Sequence, residues 1–353
     1  MEQTVFDGGS QRNNSIDFIK GFLMLLVIMG HWLQGNMNET LIRHFIYFFH
    51  MPLFFLISGF LIDYEKMKNR KVIYLFKRYF QLGAPWLITS VIFLIIRNFS
   101  HIGDISYKDI IKIFYSPYYH LWYIIAYLAY ITILLAYIKL CKKLIIRKQI
   151  IVLLIISLIV GFLARLFPEQ DGVFKHIVNY ILRLQNFPFF IFGIYLSNEK
   201  IKVSKYIYCL ALMVLSIIVI AFYVNMGFML NTAGFFIVNF VLSLAIYKLT
   251  YEKDIYFPVI NSLGGNTLWI YLLHVLALLA ATFIMPSEYE TNQWYLTSLI
   301  FLISLIAAII FINGIRTPRL AKPSKNLKST PIGVAIAENP EEKYAKLHRG
   351  PLS

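Results

Sequence analysis

The sequence predicts an all-α polytopic membrane protein of about ten transmembrane helices, with both termini in the cytoplasm. Three observations predict it. The 353 residues are 59% hydrophobic and only 14% charged, against roughly 45–50% and about 25% in soluble domains. The apolar residues fall into runs that match a hydrocarbon core of about 30 Å, which takes roughly 20 residues of helix. The cations fall between those runs, and mostly on one side. A soluble fold of this length would expose apolar patches beyond the few hundred Å² that a monomer tolerates. Soluble globular enzymes, disordered chains and disulfide-stapled secreted domains are therefore excluded.

The runs are 16–34, 41–62, 79–97, 118–139, 149–167, 180–197, 205–224, 228–249, 262–284 and 293–315. The sixth is short and interrupted by Pro188 and Gly193. Residues 63–78 hold six Lys or Arg, 139–148 hold five, and the stretch from Arg316 holds eight. All but seven of the 33 cations lie on the side of the termini; the seven are Arg43, Arg97, Lys108, Lys112, Arg165, Lys175 and Arg183. The positive-inside rule places the richer side in the cytoplasm, and an even number of spans agrees. Residues 1–15 are then a short cytoplasmic segment and 16–315 the transmembrane domain. Residues 316–353, rich in Lys, Pro, Ser and Glu, are expected to be a disordered cytoplasmic tail. The net charge of +15 lies between spans rather than on one folded face, so it does not point to nucleic acid.

Ionisable side chains at mid-membrane cost about 2.5–3.5 kcal/mol on insertion scales and need a reason. The first run, SIDFIKGFLMLLVIMGHW, has three: Asp17, Lys20 and His31. At about 100° per residue they share one stripe, which climbs roughly 20 Å from the inner surface towards the outer third of the membrane. Snorkelling ends and a satisfied histidine explain each of them equally well when taken singly. In the second run His50 lies near mid-depth, Pro52 follows it, and Ser58 and Gly59 close the inner end. Proline frees a backbone carbonyl, which is tolerated in a membrane only where a neighbour or a cavity satisfies it. Small residues such as Ser58-Gly59 also let helices pack closely. Lys77 and Arg78 precede the third run, His120 and Trp122 open the fourth, and Tyr271 and His274 sit one turn apart in the ninth. A Tyr–His hydrogen bond inside the bundle would account for that last pair. Glu39 follows His31 in an outer loop. No spacing of His, Cys, Asp or Glu fixes a metal, and no phosphate loop, nucleophile elbow or zinc-protease motif occurs.

In order along the chain, IDFIKGFLMLLVIMGH, HMPLFFLISGF, KRYFQLGAPW, HLWYI and LGGNTLWIYLLH resemble the membrane acyltransferase family 3, the O-acyltransferases of surface glycans. The Lys20-x10-His31 spacing is similar to that family's basic-x10-His signature, and the resemblance covers residues 14–315. Within the family it is nearest to the branch with fucose O-acetylase-like proteins. Lysine stands where arginine is commoner, which keeps the charge and loses the bidentate fork.

The resemblance implies that acetyl-CoA is the donor substrate, with no permanently bound cofactor. It implies a glycan acceptor outside the cytoplasm. His31 would be the general base, and His120 or Tyr271 would stabilise the oxyanion. Asp17, Lys20, Ser58, Arg78, Trp122, His274 and Glu39 would bind or orient donor and acceptor. Two other classes use the same residues differently. A glycan or solute carrier would keep the polar seam without covalent chemistry, although no inverted repeat is apparent. A structural or sensing protein would use the histidines for stability.

Overall fold

The computed structural model describes residues 14–33, 41–99, 105–118, 120–166, 176–199, 201–223, 232–284 and 292–314. Among them there is no β-strand. The helices in chain order are α1 Asn14–Trp32, α2 Leu41–Phe60, α3 Tyr64–Arg78, α4 Ala84–Arg97, α5 Tyr107–Tyr115, α6 Trp122–Leu140, α7 Ile146–Leu166, α8 Phe187–Glu199, α9 Ile207–Tyr223, α10 Thr232–Glu252, α11 Pro258–Gly265, α12 Thr267–Ile284 and α13 Asn292–Asn313. Seven helical stretches among the described residues are long and apolar enough to cross a membrane. Shorter apolar stretches, Phe45–Phe60 and Ile207–Ile217, lie in α2 and α9. Large apolar side chains face outward along the periphery, including Ile159 on α7 and Ile300 and Ile303 on α13. Water would make such a surface an aggregation hazard, whereas hydrocarbon matches it. The chain is a multi-pass membrane protein. Its expected terminal tail, 316–353, lies outside the described residues.

Two predicted spans are corrected. The sixth run, 180–197, is not one helix. A π-helical turn His176–Ile181 and a 3-10 turn Leu184–Asn186 precede α8, which has only 13 residues. The physical reason is Pro188. It sits in the first turn of α8, where its missing N–H costs nothing, so it marks a helix start rather than a kink in a longer helix. The ninth run, 262–284, is divided between α11 and α12 at Asn266, where the backbone leaves helical geometry (φ −109°, ψ 15°) after Gly264 and Gly265. By contrast α3, the π-helical turn Tyr79–Gly83 and α4 are continuous. The widened turn sits just ahead of Pro85, whose ring would crowd a regular α-turn.

Glycines set how closely the helices approach. A Cβ on Gly264 of α11 would collide with the backbone carbonyl of Asp17 on α1, and one on Gly21 of α1 with that of Ile260 on α11. Gly59 of α2 and Gly193 of α8 form the same reciprocal pair against the Phe190 and Leu56 carbonyls. Dispersion then acts between backbones, which is how helices associate where lipid is as apolar as leucine. A polar clasp holds the start of α1 to the segment before α11. Asn261 donates to the Asn14 carbonyl (2.7 Å) and accepts from Phe257 N (2.8 Å). Ser15 Oγ accepts from Ile255 N (2.9 Å) and donates to the Lys253 carbonyl.

Candidate active site

α1 carries His31 in its last turn. Gly30 before it leaves room for the Tyr47 ring of α2, because a Cβ there would sit 3.3 Å from the ring. The Tyr47 hydroxyl donates to the Gly30 carbonyl (3.4 Å) and lies 3.5 Å from His31 Nδ1. One turn along α2, His50 is buried, and its Nδ1 is 2.6 Å from the Ile46 carbonyl. Pro52 then removes the amide that would have bonded Phe48. That freed carbonyl accepts from the Asn239 side-chain amide of α10 at 3.3 Å, which is the compensation such a proline requires.

His120 sits in the turn before α6. Trp86 Nε1 donates to the adjacent Leu121 carbonyl (3.0 Å), and the Tyr271 hydroxyl of α12 donates to the His120 carbonyl. These bonds fix the turn and aim the imidazole inward. His274 follows on α12 with no exposed surface. Its Nδ1 lies 2.9 Å from the Tyr271 carbonyl and 3.1 Å from the Ile270 carbonyl. A carbonyl only accepts, so the proton of the neutral ring is on Nδ1 and the lone pair on Nε2. The three imidazoles meet. Ring centroids are 5.7 Å apart for His31 and His120, 5.3 Å for His31 and His274, and 4.6 Å for His120 and His274. The His120 ring meets no side-chain hydrogen-bond partner among the described residues, only the nearby backbone of Tyr271 and Leu272, and Nε2 of His274 is buried without a hydrogen bond among them. Such groups are costly unless something else is meant to meet them.

Beside this cluster lies a cavity of about 530 Å³, within the range of small-molecule sites. His31, His50, His120, Trp122 and Tyr271 line it. Three arginines do as well: Arg43 of α2, Arg165 of α7 and Arg183 ahead of α8. No group of three or more His, Cys, Asp or Glu among the described residues could hold a metal.

The structure thus brings together His31, His120, Trp122, Tyr271 and His274. The Tyr271 hydroxyl bonds the His120 backbone rather than a histidine ring, so the expected Tyr–His side-chain bond is replaced by a brace on the turn. Asp17, Lys20, Ser58 and Arg78 are not among the residues lining the cavity. Lys20 Nζ pairs with Asp17 Oδ1 at 3.0 Å, eleven residues and about 16 Å below His31 along α1. Ser58 connects to the cluster through tyrosines. Its hydroxyl is 2.6 Å from the Tyr123 hydroxyl, the Tyr123 ring lies 5.6 Å from that of Tyr271, and Tyr271 lies 5.1 Å from His120. Arg78 ends α3, and Glu39 lies outside the described residues. Sequence reasoning missed Tyr47 and the roles of Arg43, Arg165 and Arg183. The one available signal was that these arginines belong to the sparse minority of cations on the His31 side.

Comparison with known proteins places this constellation. Residues 13–313 match the family model described as an acyltransferase domain, Acyl_transf_3. The nodulation protein NolL of Sinorhizobium fredii is 46% identical over 61 residues, 15% of this chain and 17% of that protein. NolL of Mesorhizobium japonicum is 49% identical over 61 residues, 15% of this chain and 16% of that protein. The matched segment spans about a sixth of either relative's length. No solved structure matches the chain. The family match runs from the start of α1 to the end of α13 and takes in every histidine of the cluster, so the chain belongs to acyltransferase family 3.

Proposed function

We propose that this protein is a membrane O-acyltransferase that moves an acyl group, acetyl in the simplest case, from acyl-CoA to a hydroxyl of a glycan. The donor arrives on the cytoplasmic side, where α1 begins, and the acceptor on the opposite side, where α1 ends. The observation that carries this reading is the placement of His31 in the wall of a cavity, with two further imidazoles in ring contact.

Tyr47 selects the atom that acts. Its proton goes to the Gly30 carbonyl, so its oxygen accepts from His31 Nδ1–H, and the lone pair of His31 falls on Nε2. Nε2 takes the proton of the acceptor hydroxyl as its oxygen attacks the thioester carbon. The tetrahedral intermediate carries an oxyanion. The His120 ring, in contact with His31 and in the cavity wall, donates to it. Tyr271 holds His120 in position. The C–S bond then breaks, and the CoA thiolate leaves with the proton that His31 holds. Arg78 and Lys20 meet the donor's phosphates, and the Ser58–Tyr123–Tyr271 string marks the pantetheine path.

The test uses purified protein with acetyl-CoA and a glycan acceptor, following CoA release and acceptor mass. Wild type should release CoA in step with acetylated product. Solute movement across a vesicle with no CoA released would replace the enzyme by a carrier.

A further inference from the structure

We infer that α5 lies in the plane of the membrane surface on the His31 side, and that Lys108 and Lys112 bind anionic phospholipid headgroups of that leaflet. The headgroup site goes beyond the acyl-transfer reading; only its effect on turnover rests on that reading.

α5 stands between the end of α4 and the turn that carries His120, so it belongs to the side of the bundle where α1 ends. Its nine residues cannot span a membrane, because they reach about 13 Å and a hydrocarbon core is about 30 Å thick. Tyr107, Ile110, Ile111, Phe114 and Tyr115 recur at the helical period, which makes them one apolar stripe, and each is 49–70% exposed. Ile113, on another face, is buried and ties the helix to the bundle. In water this stripe would be a liability, whereas at the lipid surface it is covered. Tyrosines at both ends suit that depth, where one edge of the ring is apolar and the hydroxyl is wet.

Lys108 and Lys112 lie one turn apart on the flank of the stripe, and both are exposed. With the stripe in lipid, their ammonium groups emerge among the headgroups. Neither forms an ion pair among the described residues. The acid of this helix, Asp109, gives its Oδ2 to Ser106 N (3.0 Å) and Ser106 Oγ (2.9 Å) and meets Lys112 only through space. Both lysines are among the few cations that run against the positive-inside rule. An anionic leaflet answers them, since in-plane helices hold by apolar area together with attraction of lysine to acidic lipid.

The same helix braces the reacting groups. The Phe114 ring lies 5.5 Å from that of Trp86, and Trp86 Nε1 donates to the Leu121 carbonyl (3.0 Å). Leu121 follows His120, whose ring is 5.7 Å from that of His31. At the other end of α5, His176 Nε2 lies 2.7 Å from the Tyr115 carbonyl. Settling α5 on headgroups therefore steadies the turn that carries His120.

The experiment follows amide exchange across 107–115 in full-length protein, in nanodiscs of phosphatidylcholine alone or with one third phosphatidylglycerol. Phosphatidylglycerol should slow exchange about five-fold, and about 1 M salt should abolish that slowing. Lys108→Gln with Lys112→Gln should remove the lipid effect, and arginine at both positions should keep it. Ile111→Asp should speed exchange in either lipid, although an acid at an exposed position of a water-facing helix would not. Thermal unfolding of each variant reports that it is folded, and exchange across α7 should respond to none of these changes.

Equal exchange in the two lipids by wild type would overturn the inference. So would a double glutamine variant that kept the full lipid effect, or an Ile111→Asp variant with unaltered exchange. Slowing that followed the number of protein copies per disc would assign the face to a second copy. Slowing by soluble polygalacturonate and not by phosphatidylglycerol would assign the lysines to an acidic glycan. Phosphatidylglycerol should also raise kcat of acetyl transfer about three-fold in wild type and not in the double glutamine variant. A kcat indifferent to lipid would overturn the link to His120 and leave the headgroup site. Lipid-dependent exchange without any acetyl transfer would sink the acyl-transfer reading instead.

Discussion

The two ends of α1 solve the problem of charge in a membrane in opposite ways. At Lys20 the cation is answered by Asp17, 3.0 Å away on the same helix, and the surrounding backbones are pressed together by Gly21 and Gly264. At His31 three imidazoles stand in ring contact beside a cavity of about 530 Å³ that Arg43, Arg165 and Arg183 also line. The first arrangement closes space and satisfies charge, as structure requires. The second keeps space open and leaves the buried Nε2 of His274 without a hydrogen bond among the described residues, which structure alone does not require. The proposed acyl transfer sits at the end that packing leaves open.

Substitutions at the two ends should therefore fail differently. Gly264→Val should have the largest effect of all, because its Cβ would enter the Asp17 backbone and no side-chain motion relieves that clash. Little folded protein should accumulate in membranes, and a folded, fully active variant would break the contrast. His31→Ala should leave folded, membrane-inserted protein and reduce acetyl transfer by about 10²–10⁴-fold, the usual worth of a general base. Unimpaired transfer in that variant would remove His31 from the reaction. Tyr47→Phe tests the tautomer argument. It should lower kcat about ten-fold with little change in KM and shift the pH profile of kcat, whereas a purely packing role would leave that profile in place.

How much of this was legible depended on whether a residue's cost could be read locally. His31, His120 and His274 stood out because an imidazole in an apolar run is expensive wherever it ends up. Pro52 likewise predicted a compensating partner, which proved to be Asn239, although only folding identifies a residue so distant in sequence. That the three histidines converge was not legible, since helical periodicity ranks faces within one helix and says nothing of which helices meet. The arginines were counted in the charge census, but that census treats each minority cation as scatter around a topological rule. Tyr47 was hidden among aromatics in a chain that is 17% aromatic. Pro188 was read as an interruption because nothing local distinguishes a proline inside a helix from one that opens it.

At the Lys20 end, Arg78→Ala and Lys20→Ala should each raise the apparent KM for acyl-CoA several-fold. The smaller rise is expected for Lys20, because Asp17 already answers part of its charge. Unchanged donor affinity in both would take this end out of the reaction and make the contrast one of structure against function alone.

The smallest effect concerns Asp109, the one acid among the described residues on the His31 side of the bundle. It is committed to capping α5. Its Oδ2 accepts from Ser106 N (3.0 Å) and Ser106 Oγ (2.9 Å) at the start of α5. The backbone hydrogen bond from Ser106, followed by the one from its hydroxyl, holds the carboxyl below its ordinary range. A depressed folded pKa makes the cap's contribution fully present above the unfolded value of about 3.9 and lost as pH falls through the folded one. Amide exchange across 107–115, corrected for intrinsic rates, should therefore accelerate only in that acidic window. Asp109→Asn should show the faster exchange already at neutral pH, with the acid dependence gone. Exchange in α5 indifferent to both changes would mean that the Ser106–Asp109 cap does not hold the helix.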